Sequence, residues 1–118
     1  MPKVAEVRKD IERLLEHIEL STGQKPASEY RRASWRYKWT APATVKLMDS
    51  NDSSEPLYVT TRTIFAHGLD FRSPRMFERD CKVLITIETD EGELQIPATV
   101  VHYTESVGMP IVGVIFDP

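Results

Sequence analysis

The sequence predicts a mainly β protein: a six-stranded antiparallel barrel preceded by one N-terminal amphipathic helix. Three features predict it. Apolar residues recur at helical spacing up to about residue 21 and at period two from about residue 40. The strand-like runs that follow come at hairpin spacing, and their connections are too short for helical crossovers, so the order is antiparallel. The chain has 118 residues, enough for one core rather than two. Strands this short bury a core best by closing on themselves, which also removes exposed sheet edges.

The elements follow in order. Val4, Val7, Ile11, Leu14 and Ile18 alternate steps of three and four, which makes residues 3–21 a helix, and Leu15 widens its stripe. Ser21, Thr22 and Gly23 end it, with Pro26 beyond. The stripe suits a cover for the chain's own barrel or, alternatively, a homodimer contact. The expected organisation is a helical segment over 1–22, a linker with a basic segment over 23–39, and the barrel over 40–118. Within the barrel, Ala43, Val45 and Leu47 mark the first strand, 49–55 a polar turn, and 57–64 a β-branched second strand. Gly68 permits a tight turn or a close backbone approach before Leu69 and Phe71. Ser73-Pro74 breaks that strand, and 76–80 is expected to make one helical turn. Cys81, Val83, Ile85 and Ile87 share one face of the next strand. Asp90, Glu91 and Gly92 form a hairpin turn. The return strand over 94–103 contains Pro97, which marks an edge or bulge, and 111–116 is the last strand.

Composition excludes several functions. Hydrophobic residues make up 41% and charged residues 28%, which is ordinary globular usage and not that of a disordered chain. A net charge of −3 disfavours DNA or any bulk polyanion as partner. That charge is uneven: residues 1–38 carry 9 Lys and Arg against 6 Asp and Glu, so the acidic excess belongs to the remainder. Cys81 is the single cysteine, so there is no intramolecular disulfide and no cysteine zinc site, and it is expected buried and inert. No apolar run approaches the roughly 20 residues of a membrane span, and the start of the chain is charged where a signal peptide is apolar. The expectation is a soluble cytoplasmic protein. His17 reads as a solvated helix residue, His67 as turn filler and His102 as a satisfied structural histidine; their spacing suits no metal. No nucleophile, Walker or nicotinamide motif appears. The expectation is therefore a non-enzyme with no catalytic residue, metal or cofactor.

The segment with the most chemistry is 30–39, which holds four cations, four aromatics and no acid. Arg31, Arg32 and Arg36 offer planar forks matched to phosphate oxygens or to the Hoogsteen edge of guanine. Tyr30, Trp35, Tyr37 and Trp39 could stack on bases, which suits a nucleotide or a short single strand. Trp35, Tyr37 and Trp39 could instead alternate because they pack on a barrel end, leaving the arginines solvated. Arg75 and Arg79 repeat the spacing of Arg32 and Arg36 mid-domain and read as surface charge.

On these residues the chain resembles the PilZ domain family, bacterial receptors for cyclic di-GMP. The family places an RxxxR motif before its first barrel strand and a [D/N]xSxxG motif some 25–30 residues later. Arg32 and Arg36 stand at the first motif, with Arg31 in front, and residues 63–68 occupy the second. The ending, with Pro97, His102, Gly113 and Phe116, also fits, so the resemblance covers about 30–117. It implies a six-stranded PilZ-like barrel and a signalling module that binds cyclic di-GMP through Arg31, Arg32, Arg36, Thr63, Phe65 and Gly68. In the family, the arginines clamp phosphates and guanines, the Asp/Asn and Ser hydrogen-bond guanine, and the Gly allows backbone approach. Here Thr63 replaces Asp/Asn and Phe65 replaces Ser. The altered motif gives a second expectation, a ligand-free adaptor that works through protein contacts with an unknown partner. A single-strand nucleic-acid binder using 31–39 is a third.

Overall fold

The computed structural model describes residues 4–26, 35–48, 56–89, 92–104 and 108–117. One helix, α1 (Val4–Thr22), precedes seven strands: β1 (Tyr37–Lys38), β2 (Pro42–Leu47), β3 (Leu57–Phe65), β4 (Gly68–Arg72), β5 (Lys82–Thr89), β6 (Gly92–Thr104) and β7 (Ile111–Phe116). Every pairing is antiparallel, in the order β1-β3-β2-β5-β6-β7-β4. A further β3–β4 pairing joins the last strand of that order to its second, so β2 to β7 form a closed six-stranded ring, as the sequence predicts. The extra β1 continues the line of β2 along the same edge of β3, after a break at 39–41.

Period-two patterning decides which residues fill the ring. Val45, Ile64, Phe71, Ile85, Ile96 and Val112 point inward and are buried, while their chain neighbours face out. Pro97 fits this sheet because its carbonyl accepts the Asp117 N–H at 2.9 Å, past the last residue of β7. A residue's N and C=O point to the same side of a strand, so the nitrogen that cannot donate faces the end of a neighbour rather than a ladder.

The apolar stripe of α1 closes one side of the barrel. Val7, Ile11, Leu14, Leu15 and Ile18 belong to the same buried cluster as the barrel interior, and Ile18 is only 1% exposed. The stripe therefore covers the chain's own core. The helix stops at Gly23, whose positive φ of 75° only glycine adopts freely. The Gly23 N–H donates to the Glu19 carbonyl at 2.9 Å and satisfies one of the last helical acceptors.

Two expectations are corrected. Residues 76–80 form no helical turn. Phe77 is instead drawn in edge-on against Phe71, with ring centroids 6.1 Å apart, and the Asp80 N–H donates across to the Val100 carbonyl at 2.8 Å. Tertiary burial of one aromatic outweighs a weak local helical preference. Cys81 is half-buried rather than buried and precedes β5 by one residue. The hairpin residues Asp90 and Glu91 and the polar turn at 49–55 lie outside the described residues.

The docking of α1 is testable. Replacing Ile18 with Ala removes buried aliphatic volume at the helix–barrel contact and is expected to lower stability by about 2–5 kcal/mol in urea unfolding. A loss under about 0.5 kcal/mol, the scale of surface substitutions, contradicts the docking.

Candidate functional site

The basic segment enters the fold beside the end of α1. Gln24 spans the gap: its side-chain amide donates to the Lys38 carbonyl and accepts the Lys38 N–H, both at 2.8 Å. The Tyr37 hydroxyl also donates to Glu19 of α1. The helix end and β1 are thus tied on both sides of the segment that carries the arginines. Arg31 and Arg32 lie outside the described residues.

Three of the segment's four aromatics, Trp35, Tyr37 and Trp39, pack rather than stack outward, and Tyr30 lies outside the described residues. Tyr37 is 1% exposed, and Trp35 and Trp39 lie half-buried against the core. The indole N–H of Trp35 is buried and finds no acceptor among the described residues. Of the two readings of 30–39, the barrel-end packing holds for these three aromatics. The break between β1 and β2 is knitted by one buried hydroxyl. Thr61 Oγ1 donates to the Trp39 carbonyl at 2.7 Å and accepts the Ala41 N–H at 2.8 Å. These groups lack a regular ladder partner, so the hydroxyl lets the chain bulge without leaving them unpaired.

Arg36 does face outward. It precedes the Tyr37↔Ile64 pair by one residue, which sets it opposite Phe65. Its guanidinium carbon lies 4.5 Å from the Phe65 ring centroid, a cation–π contact worth about 0.5–1 kcal/mol at an exposed position. His67 meets the same Phe65 ring edge-on at 6.1 Å. The guanidinium N–H groups of Arg36 take no acceptor among the described residues.

The turn places the second motif on the same outer face. Gly68 pairs with Phe65 in β3 and with Ile115 in β7. A Cβ on Gly68 would sit 2.3 Å from the Val114 carbonyl oxygen, so the close backbone approach expected here is real. Thr63 lies two residues before Phe65 on that face and pairs with Asp70. Its N–H and its hydroxyl both donate to Asp70 Oδ1 at 2.8 Å. A bulge between Thr61 and Thr63 inserts Arg62, whose Nη1 stands 3.6 Å from Asp70 Oδ2. Beyond Asp70 on β7 is Gly113, where the exposed ring of His102 takes the place a side chain would occupy: its Nε2 is 2.2 Å from where a Cβ would stand. The support of His102 is therefore packing over a glycine at the surface.

The structure thus brings Arg36, Thr63, Phe65 and Gly68 onto one patch of β1, β3 and β4. Sequence reasoning missed Asp70 and Thr61. The alternation of Gly68, Asp70 and Arg72 on the outer face of β4 was the available signal for Asp70. Away from this patch, a groove of about 400 Å³ runs between α1 and the β5–β6 hairpin, lined by Asp10, Arg13, His17, Trp39, Glu88 and Glu93 among others. Arg75 and Arg79 are exposed, as expected of surface charge. Among the described residues no group of three or more His, Cys, Asp or Glu could hold a metal ion, and no helix is long and apolar enough to cross a membrane.

Comparison with known proteins gives the family and the fold. The family model of the PilZ domain matches residues 30–118. The chain belongs to the PilZ domain family. No curated protein matches it significantly. Among solved structures, the PilZ domain of CeSA from a cellulose-synthesizing bacterium is similar at a TM-score of 0.57 and 20% identity, over 71% of this chain and 81% of that one. The PilZ domain of YcgR from Escherichia coli, solved with c-di-GMP, gives 0.55 and 12%, over 70% and 74%. The Bacillus subtilis inhibitor of motility MotI/DgrA gives 0.58 and 10%, over 70% of this chain and 41% of that chain. At these identities the likeness is one of fold. Thr63, Phe65 and Gly68 lie inside the matched range.

The Thr61 bridge predicts a measurable cost. Thr61→Val keeps the shape and removes the hydroxyl, stranding the Ala41 N–H and the Trp39 carbonyl. A loss of about 1–3 kcal/mol in denaturant unfolding is expected; an unchanged midpoint contradicts the bridge.

Proposed function

We propose that the chain is a soluble, cytoplasmic signalling module of the PilZ type that binds cyclic di-GMP at the outer patch of β1, β3 and β4 and performs no catalysis. The observation that carries this reading is the outward Arg36 guanidinium over Phe65, beside Gly68 and one RxxxR spacing after Arg32 in the sequence. The ligand presents two phosphates and two guanines. Arginine forks bind phosphate oxygens bidentately and also match the Hoogsteen edge of guanine. The Phe65 ring supplies a stacking face in place of the missing hydroxyl, and Gly68 leaves the strand surface free of a side chain beside it.

The tie between α1 and β1 supplies the output. A ligand shifts an equilibrium only by contacting two states differently. In the sequence, Arg31, Arg32 and Arg36 fall between Gln24 and Lys38, the two residues of the clamp. Drawing them onto phosphates pulls on the clamp and on the Tyr37–Glu19 contact, and thereby changes how α1 lies against the barrel. A protein partner that recognises α1 with the barrel then reads the ligand.

Calorimetric titration with cyclic di-GMP tests this reading. The wild-type chain is expected to bind, and Arg36→Ala to weaken binding roughly 10- to 150-fold, the equivalent of about 1.5–3 kcal/mol for a charge-assisted hydrogen bond. Absence of heat at hundreds of micromolar overturns the proposal and leaves a ligand-independent adaptor.

A further inference from the structure

Thr63 stands where the motif calls for a carboxylate or carboxamide, yet the site is not without a carboxylate. Asp70 reaches it across the β3–β4 ladder. Two donors from Thr63, its N–H and its hydroxyl, hold Oδ1 at 2.8 Å and fix the orientation of the group. Oδ2 is 3.6 Å from Arg62 Nη1, longer than a charge-assisted hydrogen bond, so it keeps its capacity to accept. The Asp70 side chain is 15% exposed, so the carboxylate reaches the surface. It is the diagonal neighbour of Phe65, which places it within reach of the far edge of a ring stacked there.

The geometry points to Asp70 as the base-selecting residue of this site, with Thr63 as the residue that positions it. This inference rests on the cyclic di-GMP reading and adds to it the basis of base choice. Guanine offers two adjacent donors on its Watson–Crick edge, N1–H and the N2 amine, and the two lone pairs of the uncommitted Oδ2 are there to accept them. Adenine turns the unprotonated N1 toward the same place, setting a lone pair against a carboxylate oxygen. The short, aligned contacts from Thr63 leave Asp70 little freedom to turn away.

The test uses the intact chain and three cyclic dinucleotides: cyclic di-GMP, its hypoxanthine counterpart without the N2 amine, and cyclic di-AMP. The wild type is expected to bind the first at least 10-fold more tightly than the second, and the third more weakly still. Asp70→Asn retains a carbonyl for Thr63 but can turn a donor toward guanine. It is expected to lose roughly 10- to 150-fold for cyclic di-GMP with little change for cyclic di-AMP, collapsing the preference. Arg36→Ala should weaken all three alike and keep the ratio. Equal binding of the three by the wild type, or an undiminished preference in a folded Asp70→Asn protein, overturns the role of Asp70 while the receptor reading stands. If Asp70→Asn fails to fold, the hypoxanthine comparison on the wild type decides. No binding of any of the three by the wild type brings down the receptor reading and this inference with it.

Discussion

The approach of β4 to β7 at Gly68 is the constraint on which the rest of the molecule depends. The Val114 carbonyl oxygen lies where a Cβ at residue 68 would need to be, 2.3 Å away. Only a residue without a side chain lets β4 leave the Ala66-His67 turn and pair at once with β3 and β7. That double pairing closes the ring, and closure buries Phe71, Leu69 and Val114 without leaving a sheet edge. The backbone constraint that completes the core also creates the outer patch, because the residues flanking Gly68 must alternate in and out.

From that constraint the site follows by register. Inward Ile64 and Leu69 lock the β3–β4 pairing, and their neighbours Phe65, Thr63 and Asp70 are thereby turned outward. The bulge at Arg62 sets two consecutive β3 residues against Asp70, giving the carboxylate both an anchor and a counter-charge. Closing the other side, α1 fastens its end to β1 through Gln24 and Tyr37. The position of Arg36 over Phe65 is therefore set at one end by the helix and at the other by β3.

Much of this was legible in the residues. The change from helical to alternating periodicity gave α1 and six barrel strands, because both periods report directly on which side chains are buried. Gly68 was legible as a close approach, and Arg36, Thr63 and Phe65 as neighbours through family resemblance. What stayed hidden depends on contacts across strands. Phe77 pulled 76–80 out of a helical turn by packing on Phe71, which no local pattern encodes. Thr61 looked like any β-branched strand residue, and its role came from a break in the chain paired beside it, distant only in the sequence. Asp70 lies outside the motif spacing and joins the site only through pairing register and a bulge. Trp35, Tyr37 and Trp39 were ambiguous because alternation fits both packing and stacking; the burial of Tyr37, with Trp35 and Trp39 packed against the core, decides for packing.

The proposed ligand-binding surface is the face of β1, β3 and β4 around Arg36, Phe65 and Asp70. Amide chemical-shift mapping of the labelled chain against cyclic di-GMP tests it most directly. The account predicts the largest shifts at Arg36, at 63–70 and at Gly113, with β2 and the middle of β5 undisturbed. Shifts centred instead on the groove between α1 and the β5–β6 hairpin, around His17, Trp39 and Glu93, would contradict it.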